Sequence, residues 1–304
     1  MERSVAILYP GEMGCAVARV FVAAGWRACT HLWGPSLVCR DAAEAAGITD
    51  LPSLDEALST ADLVVSLVPP AVAVEAAEAV ADAARRVTRR PLYLDANSVA
   101  PATVAAVAAT VAGAGLDCVD GAFIGSAADL GGRTRLYLSG PRAADLAVAA
   151  PAALRATSLG SQVGRASALK MAFAGFNKGM VGLFLSVVDA ASTAAASDEL
   201  QTCLGDFYPG TVDTIARLLP SYPRHAGRRA DEMDELARWL ASEGRDPALA
   251  VAAGDVLRRF AALGLDAERA WTAADVVTAW TAAGRGGAAT SGGDAGGAAQ
   301  GINP

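Results

Sequence analysis

The sequence predicts an α/β chain in which a doubly wound sheet is followed by an all-α domain, and three observations carry that reading. Over the first half, short runs of branched and aliphatic residues alternate with Ala-rich helical stretches, the pattern of a parallel sheet covered by helices. From Ser167 onward strand patterns stop and long helical patterns take over. A glycine turn, Gly11-Glu12-Met13-Gly14, lies between the first strand pattern and the first helical one.

Strands are predicted at residues 5–8, 27–32, 63–68, 91–96, 116–120 and 134–139, with helices at 13–24, 40–46, 71–86 and 102–113 between them. The connections read as βαβ crossovers, so the sheet should be parallel and ligands should gather at the carboxyl ends of its strands. A helical run of almost thirty residues leads from 167 to about 196, and further helices fit 211–218, 230–243, 247–263 and 267–282. The domains are then residues 1–165 for the sheet, 166–283 for the helical part and 284–304 for a Gly/Ala/Ser-rich tail without periodicity, read as disordered.

Composition excludes several function classes. The 304 residues carry a net charge of -7 and scattered arginines, which speaks against a nucleic-acid partner. The cysteines, Cys15, Cys29, Cys39, Cys118 and Cys203, form no CxxC pair, and only His31 and His225 could join them, so neither a disulfide framework nor a metal site is expected. The N-terminus enters a strand pattern without a signal peptide's features, and the apolar stretch at 180–188 is too short for a bilayer. A cytoplasmic protein without a membrane partner is the expectation.

The turn Tyr9-Pro10-Gly11-Glu12-Met13-Gly14 is a dinucleotide fingerprint in its strand-to-helix context, with Tyr9 in place of the first glycine. Gly11 and Gly14 still take the parts of pyrophosphate approach and helix packing, with Glu12 and Met13 between them. After the second strand, where an NAD site places an acid for the ribose hydroxyls, the loop supplies Ser36 and Arg40 instead. A hydroxyl and a guanidinium suit a 2′-phosphate, so NADP(H) is favoured over NAD(H).

Only two lysines occur, Lys170 and Lys178, both in the first helical run after the sheet. Lysine can lose its proton when desolvated and arginine cannot, which marks both as candidates for proton transfer. At about 100° per residue, Asn177 falls about 20° from Lys170 around the helix and Lys178 about 80°. Lys170 and Asn177 are therefore the catalytic candidates, and Lys178 is expected to be solvent-exposed. Met171, Phe173, Phe176, Met180 and Phe184 read as core. Further on, His225, Arg228 and Arg229 could hold an anionic substrate, and the acidic run at 231–235 reads as a helix start favoured by the helix dipole.

Several segments stand in one order: Gly11-Glu-Met-Gly14, Ser66-Leu-Val-Pro-Pro70, Asp95-Ala-Asn-Ser-Val-Ala-Pro101, Asp120-Gly-Ala-Phe-Ile-Gly-Ser126, Ala166-Ser-Ala-Leu-Lys170 and Arg228-Arg-Ala-Asp-Glu-Met233. Over roughly residues 4–270 this set resembles the β-hydroxyacid dehydrogenase superfamily, the relatives of 6-phosphogluconate and 3-hydroxyisobutyrate dehydrogenases. It looks closest to a branch whose helical C-terminal domain is of uncharacterised type. The resemblance implies a Rossmann-type domain with Val68, Pro69 and Asn97 beside the cofactor, and Ile124, Gly125 and Ser126, with Ser98, bordering the substrate. It also implies that Lys170 is the acid/base. The chain departs from the pattern at two places. Relatives often carry Ser-Gly-Gly where Ile124-Gly125-Ser126 stands, and they place an asparagine where Ala174 stands.

The expected activity is hydride transfer between NADP(H) and a small, anionic hydroxy acid or its carbonyl form, by a homodimer. Imine reduction on the same scaffold is the alternative, although imine reductases usually carry Asp or Tyr in place of this lysine. A nucleotide-binding module without catalysis is the third reading, motivated by Tyr9, Ile124 and Ala174.

Overall fold

The computed structural model describes residues 3–31 and 37–290, so Ser36 lies outside the described residues. The chain forms two compact units, Met1–Phe173 and Ala174–Pro304. In the first, the order is β1 (Ser4–Leu8), α1 (Glu12–Ala23), β2 (Arg27–Thr30), α2 (Leu37–Ala45), β3 (Ile48–Asp50), α3 (Leu54–Thr60), β4 (Leu63–Ser66), α4 (Ala73–Arg86), β5 (Leu92–Asp95), α5 (Pro101–Ala112), β6 (Cys118–Ile124), β7 (Arg135–Ser139), α6 (Ala143–Ala149) and β8 (Thr157–Ser158).

The sheet order is β3-β2-β1-β4-β5-β6-β7-β8. Its first six strands are parallel and reverse their order between β1 and β4, which opens the crevice where such sheets take ligands. Every residue of β1 is buried, as a strand covered on both faces requires. Val5 and Ile7 join Phe21 and Leu146 on one side, while Ala6 and Leu8 join Leu58, Val80 and Tyr93 on the other, the two-residue period of a strand.

The structure departs from the expected pattern at several places. β7 runs antiparallel to β6, because the segment joining them is too short for a crossover helix. The short β3, α3, α6 and β8 were not expected. The units also divide at Phe173, beyond the expected boundary at 165, because the first turns of the next helix are fastened to the sheet.

That helix, α7 (Arg165–Ser192), continues into the second unit, followed by α8 (Ser197–Phe207), α9 (Pro209–Leu218), α10 (Tyr222–Ser242), α11 (Ala248–Ala261) and α12 (Ala273–Thr290). In the core of this unit Tyr222 meets Phe260 edge-on at 6.2 Å, Phe260 stacks on Trp280 at 5.8 Å, and the Trp280 indole donates to the Leu185 carbonyl at 2.8 Å. Gly175 lets α7 approach α10 closely, since a Cβ there would stand 2.2 Å from Leu236.

The expected run to 196 breaks after Ser192, and Ala195 takes a positive φ of 53° before α8 begins. α10 starts at Tyr222 instead of 230, with a proline in its first turn, where the missing N–H costs nothing. α12 starts late, after Thr272, whose hydroxyl accepts from the Asp275 N–H while the Asp275 carboxylate takes the Thr272 N–H, a reciprocal cap. The helix then continues to Thr290, past the expected start of the tail at 284. Gly284 serves close approach to Asp189 rather than helix ending.

At 28 residues, α7 is long and apolar enough to cross a bilayer by length and composition, contrary to the expectation drawn from 180–188 alone. Two of its polar residues are held by protein partners: Ser167 donates to Asp120, and Lys178 pairs with Glu232.

Candidate active site

The glycine turn takes the geometry its sequence requires even without its first glycine. Tyr9 adopts φ 61°, the left-handed conformation glycine favours, at a cost of roughly 1–2 kcal/mol for a residue with a Cβ. Its carbonyl accepts the Gly11 N–H at 2.8 Å. The same carbonyl excludes any side chain at Gly14, where a Cβ would stand 2.8 Å from it and 3.2 Å from Ile7. Gly11 is the N-cap of α1 and offers no side-chain cap, so the first-turn N–H groups at Glu12 and Met13 are the kind that bind an anion. A pyrophosphate therefore fits this turn.

Next to it lies a cleft of about 290 Å³, built from the carboxyl ends of three strands. Leu67, Val68 and Pro70 follow β4, while Ala96, Asn97 and Ser98 follow β5. Phe123 stands next to last in β6 with Gly125 just beyond the strand, Met13 comes from α1, and Lys170 reaches in from the second turn of α7. Gly125 is obligatory: its φ is 134°, and a Cβ would overlap Thr134 Oγ1 at 2.1 Å. One cation, one amide and one hydroxyl thus face an otherwise apolar wall.

Of the residues proposed from sequence, the fold brings Met13, Val68, Asn97, Ser98, Gly125 and Lys170 to this cleft. Ile124 and Ser126 flank Gly125 without lining it, and Pro69 is exposed beside Val68. Arg40 is exposed on α2. Asn177 lies in the second unit, half-buried on the continuation of α7.

Beneath the cleft lies a buried polar network that the sequence reading passed over. The Asn97 amide donates to Ser66 Oγ at 3.0 Å and to Asp95 Oδ2 at 3.1 Å, and its N–H donates to Asp95 Oδ1 at 3.0 Å. The amide plane at the cleft floor is therefore fixed by the ends of both β4 and β5. Burial pushes the Asp95 carboxyl up to about 6, the Asn97 N–H and amide pull it back, negative Asp120 raises it and the Lys170 ammonium lowers it. The Asp95 carboxyl thus feels both Asp120 and Lys170 at the heart of the site.

In the second unit the predicted roles change. Lys178 is buried rather than exposed, its ammonium 2.6 Å from Glu232, because α10 supplies a partner that local sequence does not show. Phe173 and Phe176 are exposed, not core, while Phe184 is buried. Arg228 also pairs with Glu232. Arg229 stacks 4.1 Å over Tyr222 and donates to Ser221 Oγ at 2.8 Å. Partial burial, then Arg228, Arg229 and Arg224, hold His225 below the usual imidazole range. The acidic run at 231–235 lies in mid-helix, not at a helix start, and Asp234 takes Arg258 at 2.8 Å.

The family model for a domain of unknown function, DUF1932, matches residues 191–260. Among curated proteins none matches the chain. A solved structure of a conserved hypothetical protein from Sinorhizobium meliloti 1021 is 23% identical with a TM-score of 0.74, covering 93% of this chain and 97% of that one. MTH1747, a conserved protein of unknown function reported as structurally similar to 3-hydroxyacid dehydrogenases, is 27% identical with a TM-score of 0.69, over 86% and 98%. The 3-hydroxyisobutyrate dehydrogenase of Mycobacterium tuberculosis is 18% identical with a TM-score of 0.71, over 93% and 99%. The likeness shows the fold, a Rossmann-like unit followed by a helical unit, which this chain shares with a 3-hydroxyisobutyrate dehydrogenase and with a protein described as similar to 3-hydroxyacid dehydrogenases.

Proposed function

We propose that the chain is an NADP(H)-dependent oxidoreductase acting on a small hydroxy acid or its carbonyl form. The observation that carries this reading is the convergence of Lys170 and Asn97 on one cleft, at the strand ends beside a glycine turn able to seat a pyrophosphate. When bound, the nicotinamide supplies or takes up the hydride.

The chain's own residues divide the remaining work. Gly11 to Gly14 hold the pyrophosphate through backbone N–H groups, and Ser36 and Arg40 are assigned to a 2′-phosphate by their chemistry alone. Val68, Met13 and Phe123 exclude water from the reacting centre, which strengthens every charge interaction there, and Pro69 lies beside the cofactor. Lys170 donates a proton to the substrate oxygen in reduction and, as the neutral amine, accepts it in oxidation. Asn97 and Ser98 orient the substrate across the floor, with Gly125, Ile124 and Ser126 at its border. Asn177 is proposed as the partner of the lysine, and Arg228 as the group that meets a substrate anion by exchanging Glu232 for it. A cytoplasmic homodimer completes the reading.

Titration with NADPH and NADH, followed by a panel of small hydroxy acids, their carbonyl forms and cyclic imines, tests it. Tighter binding of NADPH, by roughly the tenfold that one charge-assisted hydrogen bond provides, is expected together with turnover of a hydroxy acid. Turnover confined to imines would move the reading to imine reduction. Binding without any turnover would leave a non-catalytic module, the reading that Tyr9 motivates.

A further inference from the structure

Asp120 has no part in the chemistry above, yet it is the most heavily hydrogen-bonded side chain near the cleft. It sits on β6 opposite Ser139 of β7 and is fully buried. Its Oδ2 accepts the N–H groups of Gly164, Ala166 and Ser167 at 3.0, 3.0 and 3.1 Å and the Ser139 hydroxyl at 2.8 Å, while Oδ1 accepts the Ser167 hydroxyl at 2.6 Å. The Ala166 and Ser167 N–H groups belong to the first turn of α7 and the Gly164 N–H to the residue before it, where a helix has no partners of its own for them. A carboxylate there satisfies them through charge-assisted bonds and meets the positive end of the helix dipole.

The consequence reaches Lys170. Ser167 and Lys170 are three residues apart and share a helix face, so the hydroxyl anchored by Asp120 and the lysine that enters the cleft are neighbours. Asp120 and Lys170 also both act on the Asp95 carboxyl. Building on the reading that Lys170 carries the proton, we propose that Asp120 is its positioning residue: by capping α7 from β6, it sets the height and rotation at which the lysine faces the strand ends.

The scarcity of lysine makes a direct test practical. Reductive methylation with 13C-formaldehyde labels Lys170, Lys178 and the α-amino group of the full chain, Lys170→Arg and Lys178→Arg assign the two lysine signals, and pH titration by NMR reads each midpoint. In Asp120→Asn, the Lys170 midpoint is expected to move down by about one unit or more as an anion is removed from its vicinity. The Lys178 signal, held by Glu232, stays as the internal reference. In parallel, kcat should fall roughly 10- to 100-fold, as for a misplaced catalytic group, with substrate KM and NADPH affinity unchanged.

A folded Asp120→Asn protein with both lysine midpoints and kcat at their wild-type values would overturn the proposal. Should that variant not fold, Ser167→Ala decides: a displaced Lys170 midpoint beside an unmoved Lys178 supports it, and two unmoved midpoints refute it. The NMR measurement needs neither cofactor nor substrate. A wild-type chain that turns over nothing would sink the enzymatic reading and leave the positioning result standing by itself.

Discussion

Lys170→Met is expected to lower turnover by roughly 10²–10⁴-fold, the usual worth of a positioned general acid or base. That corresponds to about 3–5 kcal/mol of barrier. Methionine keeps most of the length and volume of the lysine stem, so the half-buried position on α7 retains its packing while the titratable nitrogen is lost. Because the lysine faces the cleft and not the glycine turn, NADPH affinity should be retained. The check is a paired measurement of kcat and NADPH binding on the same protein. Undiminished turnover would remove Lys170 from the mechanism, and lost binding with lost turnover would make it a cofactor contact instead.

The second large effect concerns pH and stability. Asp95 has its carboxyl raised from 3.8 to about 6 in the folded protein, chiefly by burial. A raised value means that the folded state holds this proton more tightly than the unfolded chain. Its stabilising contribution is therefore complete below the unfolded value and is lost as pH rises through the folded one, a window from about pH 4 to pH 6. Roughly two pH units correspond to about 3 kcal/mol. Wild-type protein should thus gain stability relative to Asp95→Asn, by up to about 3 kcal/mol, on going from pH 7 to pH 4. Taking the difference between the two proteins cancels the other carboxylates. Urea unfolding of both at the two pH values measures it, and a pH-independent difference would show that Asp95 ionises as a solvated carboxylate does.

Much of this architecture is legible in the sequence because it rests on local signals. The alternation of β-rich and Ala-rich runs marks β1, β4 and β5 with the helices beside them. The strand-to-helix glycine turn marks the phosphate site, and lysine's rarity marks Lys170. Some missed features also have local signals: Ser53 and Glu56 form an Ser-x-x-Glu start for α3, in which the Ser53 hydroxyl accepts the Glu56 N–H at 3.1 Å, and Thr272 with Asp275 starts α12 in a related way.

Other features have no local signature. Asp95 ends β5 and Asp120 lies within β6, and a carboxylate in a strand carries no mark in the sequence of the partners that will surround it. Only the assembled sheet shows them buried, one under the Asn97 amide and the other under the first turn of α7. Lys178 looks exposed until Glu232 arrives from α10, and Phe173 and Phe176 look like core until the helix faces are assigned. Pairings between distant segments decide these cases. Charge and hydropathy along the chain carry no record of them.

The central claim is that Lys170 addresses the reactive carbon of a nicotinamide held at the strand ends. A crystal structure with NADPH bound tests it most directly. The account predicts the nicotinamide ring among Met13, Val68, Asn97 and Phe123, with its C4 within about 6 Å of Lys170 Nζ. That spacing leaves room for one substrate oxygen and its carbon between them. A ring bound elsewhere, or one whose C4 faces away from the lysine, would contradict it.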